Sequence, residues 1–208
     1  MTRILVLDCE TGGKDSRTCG LTEIGAVVFE HDDWRNYEFV AGWHSLIQES
    51  PDLLYEDEAL SVQRRTLDDL SSGLPERDVL LGLTKFIGEV MGTNFYQISP
   101  WAHNQSFDLA FLMAAYGRHA LAAPFNRGFR CSVQLYRIAR DLGLHNDYRS
   151  DLGSVVRTLR LGDGDQHHAY DDAMFAGKAI GFLMGQIRGL KAEVPNSCAD
   201  PVLCSKDL

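Results

Sequence analysis

An unbroken apolar run that ends in an acid, Ile4-Leu5-Val6-Leu7-Asp8, restricts this chain more than any other stretch. It does not alternate, so both faces of the segment need cover, which is the situation of a central strand with packed layers on either side. EIGAVVFEH (23–31) and the aromatic-rich YEFVAGWHSLI (37–47) read as two further strands, with Gly12, Gly13 and Gly20 in the first connection. These three make an antiparallel meander. From Pro75 the period becomes helical, with Val79, Leu80, Leu83, Phe86, Ile87 and Val90 on one stripe. Ile98–Ala102 reads as a fourth strand, and Asn104 as the cap of a helix carrying Phe107, Phe111, Leu112 and Ala115. Phe129–Val133 reads as a fifth strand, and a last amphipathic helix begins near Tyr170. Strands first, then alternating helix and strand, give an α/β class: a mixed five-stranded sheet with an antiparallel meander, flanked by α-helices.

A chain of 208 residues, 45% hydrophobic, buries one substantial core, so a single domain over 1–188 is expected, with 189–208 as a mobile tail. The five cysteines, at 9, 19, 131, 198 and 204, form no CxxC pair and no ladder of spacings. Neither a zinc site nor a disulfide framework is suggested, and reduced thiols in a cytoplasm fit best. The apolar run Ile4–Leu7 is far short of a signal-peptide core or a membrane span, so no membrane association is expected.

A net charge of −9 argues against a general nucleic-acid binder, whose affinity would rest on many Lys and Arg contacts to phosphates. The charge is uneven, however. Residues 49–58 (ESPDLLYEDE) hold five acids and no base, whereas residues 127–160 hold seven arginines and three acids. Arginines outnumber lysines 15 to 5, which suits bidentate phosphate contacts.

Three clusters carry chemistry. Asp8 and Glu10, two apart at a strand end, point to one face while Cys9 points to the other. Two like charges side by side call for a proton or a cation between them, and hard divalent ions choose carboxylate oxygens. DxE alone is weak, since most such triplets are surface acids. In AHNQSFDLAFL (102–112), Asp108 lies about one turn into a helix among Phe107, Phe111 and Leu112. A helix-start acid favoured by the dipole is the plainer account, but it leaves the preceding His103-Asn104 pair unexplained. In QHHAYDDAMFAG (166–177) a histidine precedes a helix whose first turns hold two aspartates, and Asp172 is followed at i+4 and i+7 by Ala176 and Ala179. Those small residues let the helix lie close to the sheet.

Together, DCET (8–11), HNxxFDxxFL (103–112) and HxAxxDA (167–173) resemble the three exonuclease motifs of the DEDDh, DnaQ-like superfamily, in the right order and over roughly residues 3–187. The resemblance implies a ribonuclease H-like fold and a 3′-5′ exonuclease that cuts nucleoside 5′-monophosphates from the 3′ ends of single-stranded DNA or RNA. It further implies two Mg²⁺ ions, replaceable by Mn²⁺, about 3.5–4 Å apart. Carried over by position, Asp8, Glu10, Asp108 and Asp172 resemble the metal-binding carboxylates. Asp8 would bridge both ions, Glu10 and Asp172 would hold the one that binds the attacking water, and Asp108 would serve the other. His167 takes the place of the general base, and His168 falls out of register. An unperturbed imidazole titrates near pH 6.5, and general-base help is typically worth about 10²–10⁴-fold. The backbone around Thr11 and Gly12 would meet the terminal 3′-hydroxyl, with His103 and Asn104 close by. One departure stands out: Gln63-Arg64-Arg65-Thr66 replaces the Gly-Ile-Thr-like turn common in the family, and its arginines are candidates to grip a phosphate.

The resemblance leaves two protein partners open, a second copy of the chain and a DNA polymerase. A free-standing nuclease and a proofreading or accessory subunit would share the chemistry, and activity of the isolated protein separates them. A dead binding module that keeps only the fold is disfavoured, because all five key residues are present.

Overall fold

The computed structural model describes residues 1–34, 36–92, 94–126, 128–162 and 167–190. The meander forms first: β1 (Thr2–Thr11), β2 (Leu21–Asp32) and β3 (Asn36–Leu46) pair antiparallel in sequence order. Two short helices follow, α1 (Asp57–Val62) and α2 (Leu67–Leu70), and then the long α3 (Glu76–Met91). The chain re-enters the sheet as β4 (Trp101–Ala102), leaves through α4 (Gln105–Arg118), and returns as β5 (Arg130–Cys131), which runs directly into α5 (Ser132–Asp141). Helices α6 (Leu152–Leu159) and α7 (Ala169–Gly189) complete the described elements. The sheet order is β3-β2-β1-β4-β5, with β4 parallel to both β1 and β5.

The apolar run of β1 is covered on both faces. Leu5, Leu7 and Cys9 pack with Leu80, Leu83, Phe111 and Leu112 of α3 and α4, whereas Ile4 and Val6 pack with Tyr136, Val155, Ala176 and Ile180 of α5, α6 and α7. Burying a side chain of that size contributes about 1.5–3 kcal/mol. A central strand buried on two sides therefore cannot slip by one residue without exchanging its two sets of neighbours.

The fourth and fifth strands are shorter than the sequence suggests, two residues each. Pro100 has no N–H to give to a ladder. Its carbonyl still accepts from Arg130 N at 2.7 Å, so pairing starts only beside it. Asn104 holds the N-cap position of α4 in a left-handed conformation, φ 63°, yet its side chain makes no capping bond, so the expected cap exists by position alone. The expected tail falls mainly on residues 191–208, which lie outside the described residues. Among the described residues no helix is long and apolar enough to cross a membrane.

Candidate active site

Strand pleating decides where the first two acids go. Asp8 and Glu10 share the face of Ile4 and Val6, the face covered by α7, while Cys9 is turned into the core on the other side. Helix α7 lies tight against this face: a Cβ at Gly25, the Cα partner of Asp8 on β2, would run into the Ala169 carbonyl, and one at Gly177 would run into the Phe29 ring. The Tyr37 hydroxyl donates to Gly177 O at 2.8 Å. Asp172, in the first turn of this helix and 9% exposed, is thus delivered to the end of β1.

Asp108 arrives from the opposite layer. Near the start of α4 and only 2% exposed, its Oδ1 accepts from the Cys9 amide at 3.0 Å, so its carboxylate is tied to β1 between the two strand acids. His167 precedes α7 with φ at 82°, and its amide donates to Asp172 Oδ2 at 3.3 Å. A ring nitrogen of His167 and carboxylate oxygens of Glu10 and Asp172 lie within 4.8 Å of one another. The folded chain therefore gathers all five residues singled out from the sequence.

Electrostatics confirm how crowded the site is. Burial, and then Asp108, Asp172 and Glu10, push the Asp8 carboxyl well above the ordinary range. Glu10 is pushed up to about 8 by burial, Asp172 and Glu23, with Arg65 opposing. Burial likewise raises Asp108 and Asp172, against the hydrogen bonds that each carboxylate accepts from the backbone. One oxygen of Asp172, Oδ1, is buried without a hydrogen-bond partner among the described residues. Hard oxygen donors that cannot all ionise alone, one of them buried and unpartnered, fit a divalent cation.

The other expected contact residues are more occupied. Thr11 O accepts from Gln63 Nε2 at 2.7 Å, Gly12 N donates to Gly20 O at 2.8 Å, and Gly12 O accepts from Glu56 N at 2.7 Å. Both ring nitrogens of His103 are engaged, with Ser132 Oγ and Ser150 O, each at 2.9 Å. A carbonyl only accepts, so Nε2 donates to Ser150 and Nδ1 accepts from the Ser132 hydroxyl. His103 is a strut joining the end of β4 to α5 and to the loop before α6. Asn104 beside it is exposed. A cavity of about 350 Å³ adjoins Glu10, lined among others by Thr11, Lys14, Glu56, Gln63 and Phe107. A larger one, about 700 Å³, opens at the opposite end of β1 between Arg3, Trp34 and Arg130, remote from the carboxylates.

Sequence reasoning missed one feature. Glu23 on β2 is 4% exposed and faces Glu10 across the ladder, and Arg65 reaches it at 2.7 Å. Arg65 therefore pairs with a protein carboxylate. The signal was present, an acid at the head of the apolar run Ile24–Phe29, but its partner lies far along the chain.

Residues 3–184 match the family described as 3′-5′ exoribonuclease Rv2179c-like domain. A curated relative, the PolC-type DNA polymerase III of Thermotoga petrophila, is 25% identical in an alignment of 213 positions that covers 97% of this chain but only 14% of that protein. Among solved structures, E. coli exonuclease I in complex with a dT13 oligonucleotide superposes with TM-score 0.74 at 13% identity, over 90% of this chain and 42% of that one. The nuclease domain of 3′hExo, a DEDDh family member bound to rAMP, superposes with TM-score 0.73 at 14% identity, over 91% of this chain and 94% of that one. These neighbours share the ribonuclease H-like fold expected from the motifs.

Proposed function

This chain belongs to the family of 3′-5′ exoribonuclease Rv2179c-like domains, and on that premise we propose that it is a phosphodiester hydrolase of the DEDDh type that trims single-stranded nucleic acid from the 3′ end with the help of two divalent cations. Asp8, Glu10, Asp108 and Asp172 would hold the cations, Mg²⁺ or Mn²⁺. Bound there, such ions lower the pKa of water and stabilise both the attacking and the leaving oxygen of an in-line displacement. The chain's own residues supply the rest. His167, clustered with Glu10 and Asp172, accepts the proton of the attacking water. The cavity beside Glu10, lined by Thr11, Lys14 and Phe107, takes the terminal nucleotide, with Phe107 against the base and Lys14 at its rim; by their motif positions, Thr11, Gly12 and Asn104 would lie near the 3′-hydroxyl. His103 acts by holding the wall of the site in place.

The family description favours RNA as the polymer, and single strands fit a site set at the end of a central strand. The observation that supports this reading is the gathering of four carboxylates, Asp8, Glu10, Asp108 and Asp172, all with raised pKa, one of whose oxygens, Asp172 Oδ1, is buried and unpartnered among the described residues. The test is to incubate the protein with 5′-labelled RNA and DNA strands in Mg²⁺ or EDTA. Nucleoside 5′-monophosphates released stepwise from the 3′ end in Mg²⁺ alone, and lost in Asp8→Ala, are expected. Cleavage that persists in EDTA or in Asp8→Ala refutes the metal-dependent reading. The PolC-type relative favours a second reading, action alongside a DNA polymerase, for which the isolated chain would turn over poorly until the polymerase is added.

A further inference from the structure

Glu10 and Glu23 are Cα partners in the β1–β2 ladder, so their side chains stand on one face, directly opposite one another. Like charges in that arrangement are destabilising. Arg65 relieves the clash from a third element. Its Nη2 lies 2.7 Å from Glu23 Oε2 and 3.2 Å from His168 Nδ1. The second Glu23 oxygen has His44 Nδ1 at 3.8 Å, and His168 Nδ1 lies 3.8 Å from the first. Arg65 is held there by its neighbour. Gln63, 3% exposed, donates to Thr11 O at 2.7 Å, and its Oε1 accepts from Thr22 Oγ1 at 2.7 Å, which ties the segment after α1 to the ends of β1 and β2.

Two carboxylates thus stand within the influence of one guanidinium, and only one of them takes it. Arg65 opposes the rise in the Glu10 pKa, and Glu10 is the ladder partner of the carboxylate with which Arg65 pairs. A largely desolvated guanidinium left without its carboxylate is unfavourable, so it turns to the next one available. We propose that Glu23 is a positioning residue that captures Arg65 in a largely buried ion pair and so leaves the Glu10 carboxylate for a divalent cation. The role rests on the metal-dependent reading above. It makes Glu23 and Arg65 a self-neutralising pair, neither of which binds the cation.

The test is Mn²⁺ binding to the full chain by calorimetry, in wild type, Glu23→Gln, Arg65→Met and the double variant, with melting curves to show that each is folded. Glu23→Gln frees Arg65 to pair with Glu10 and is expected to weaken Mn²⁺ binding about 10–100-fold, the range for groups that support metal ligands. Arg65→Met removes the competitor and is expected to stay within about twofold of wild type, with the double variant matching it, so that the second substitution restores what the first removed. A pair with a merely structural role would lose affinity equally in both single variants with no restoration. A double variant as weak as Glu23→Gln overturns the proposal, as does full affinity in Glu23→Gln. Should Glu23→Gln not fold, about a tenfold loss in Arg65→Met still overturns it. Wild type that binds no Mn²⁺ overturns instead the metal-dependent reading, and the two failures are thereby told apart.

Discussion

His167 meets the carboxylates from φ 82°, a left-handed angle that strains a residue with a Cβ by roughly 1–3 kcal/mol. Its neighbour His168 points to Arg65 and Glu23 instead, so adjacent imidazoles face different partners. Replacing His167 by Ala is expected to lower kcat by about 10²–10⁴-fold. Calorimetric Mn²⁺ affinity should stay at the wild-type value, and a parallel fall would make His167 a cation ligand. At this scale the sequence was informative where an acid stands against its surroundings. Asp108 lies between Phe107 and Phe111 and is buried, and Asp172 precedes a strip of small residues. Glu23 stands out by the same logic. What no spacing rule supplies is its counter-charge, because Arg65 lies 42 residues away on a segment without a periodic pattern.

The elements differ in legibility by length. The long apolar runs of β1 and β2 and the stripe of α3 declared themselves, since a periodic signal needs a window of about 11 residues to be seen. Helices α1, α2 and α6, of six, four and eight residues, are too short to show it. Helix α2 is identifiable only by its capping box, in which Thr66 and Asp69 satisfy each other's amides. The approach of α7 to β2 was half legible, as Ala176 and Ala179 suggested close packing, but the contact that sets the distance is on the strand. Gly25→Ala puts a methyl group into the Ala169 carbonyl, where backbone has to shift. The variant is expected to lose about 1–3 kcal/mol of stability and to displace Asp172. Urea melts and exonuclease assays check it; a variant as stable and active as wild type would show that the helix has room to slide.

For the whole molecule, the buried carboxylates link stability to pH. In the unfolded chain they ionise near pH 4, whereas in the metal-free fold they keep their protons to higher pH, Glu10 to about 8. The folded state binds more protons across that window, so stability falls as pH rises from about 4 towards 8. On the metal-dependent reading proposed above, Mn²⁺ would supply the missing positive charge. The gain in melting temperature from Mn²⁺ over EDTA is therefore expected to be larger at about pH 8 than at about pH 5.5, with each kcal/mol worth about 2–4 °C at this chain length. An equal or smaller gain at the higher pH contradicts the shared site.

Helix α7 is seated on the sheet by Gly25 and Gly177 and by the bond from Tyr37, so Asp172 cannot shift unless β2 shifts with it. His167 stands just outside that helix, beyond its N-cap residue His168. The bond from the His167 amide to Asp172 nevertheless joins the two, so on the proposed reading any change in how α7 seats on the sheet reaches the imidazole and the carboxylate together.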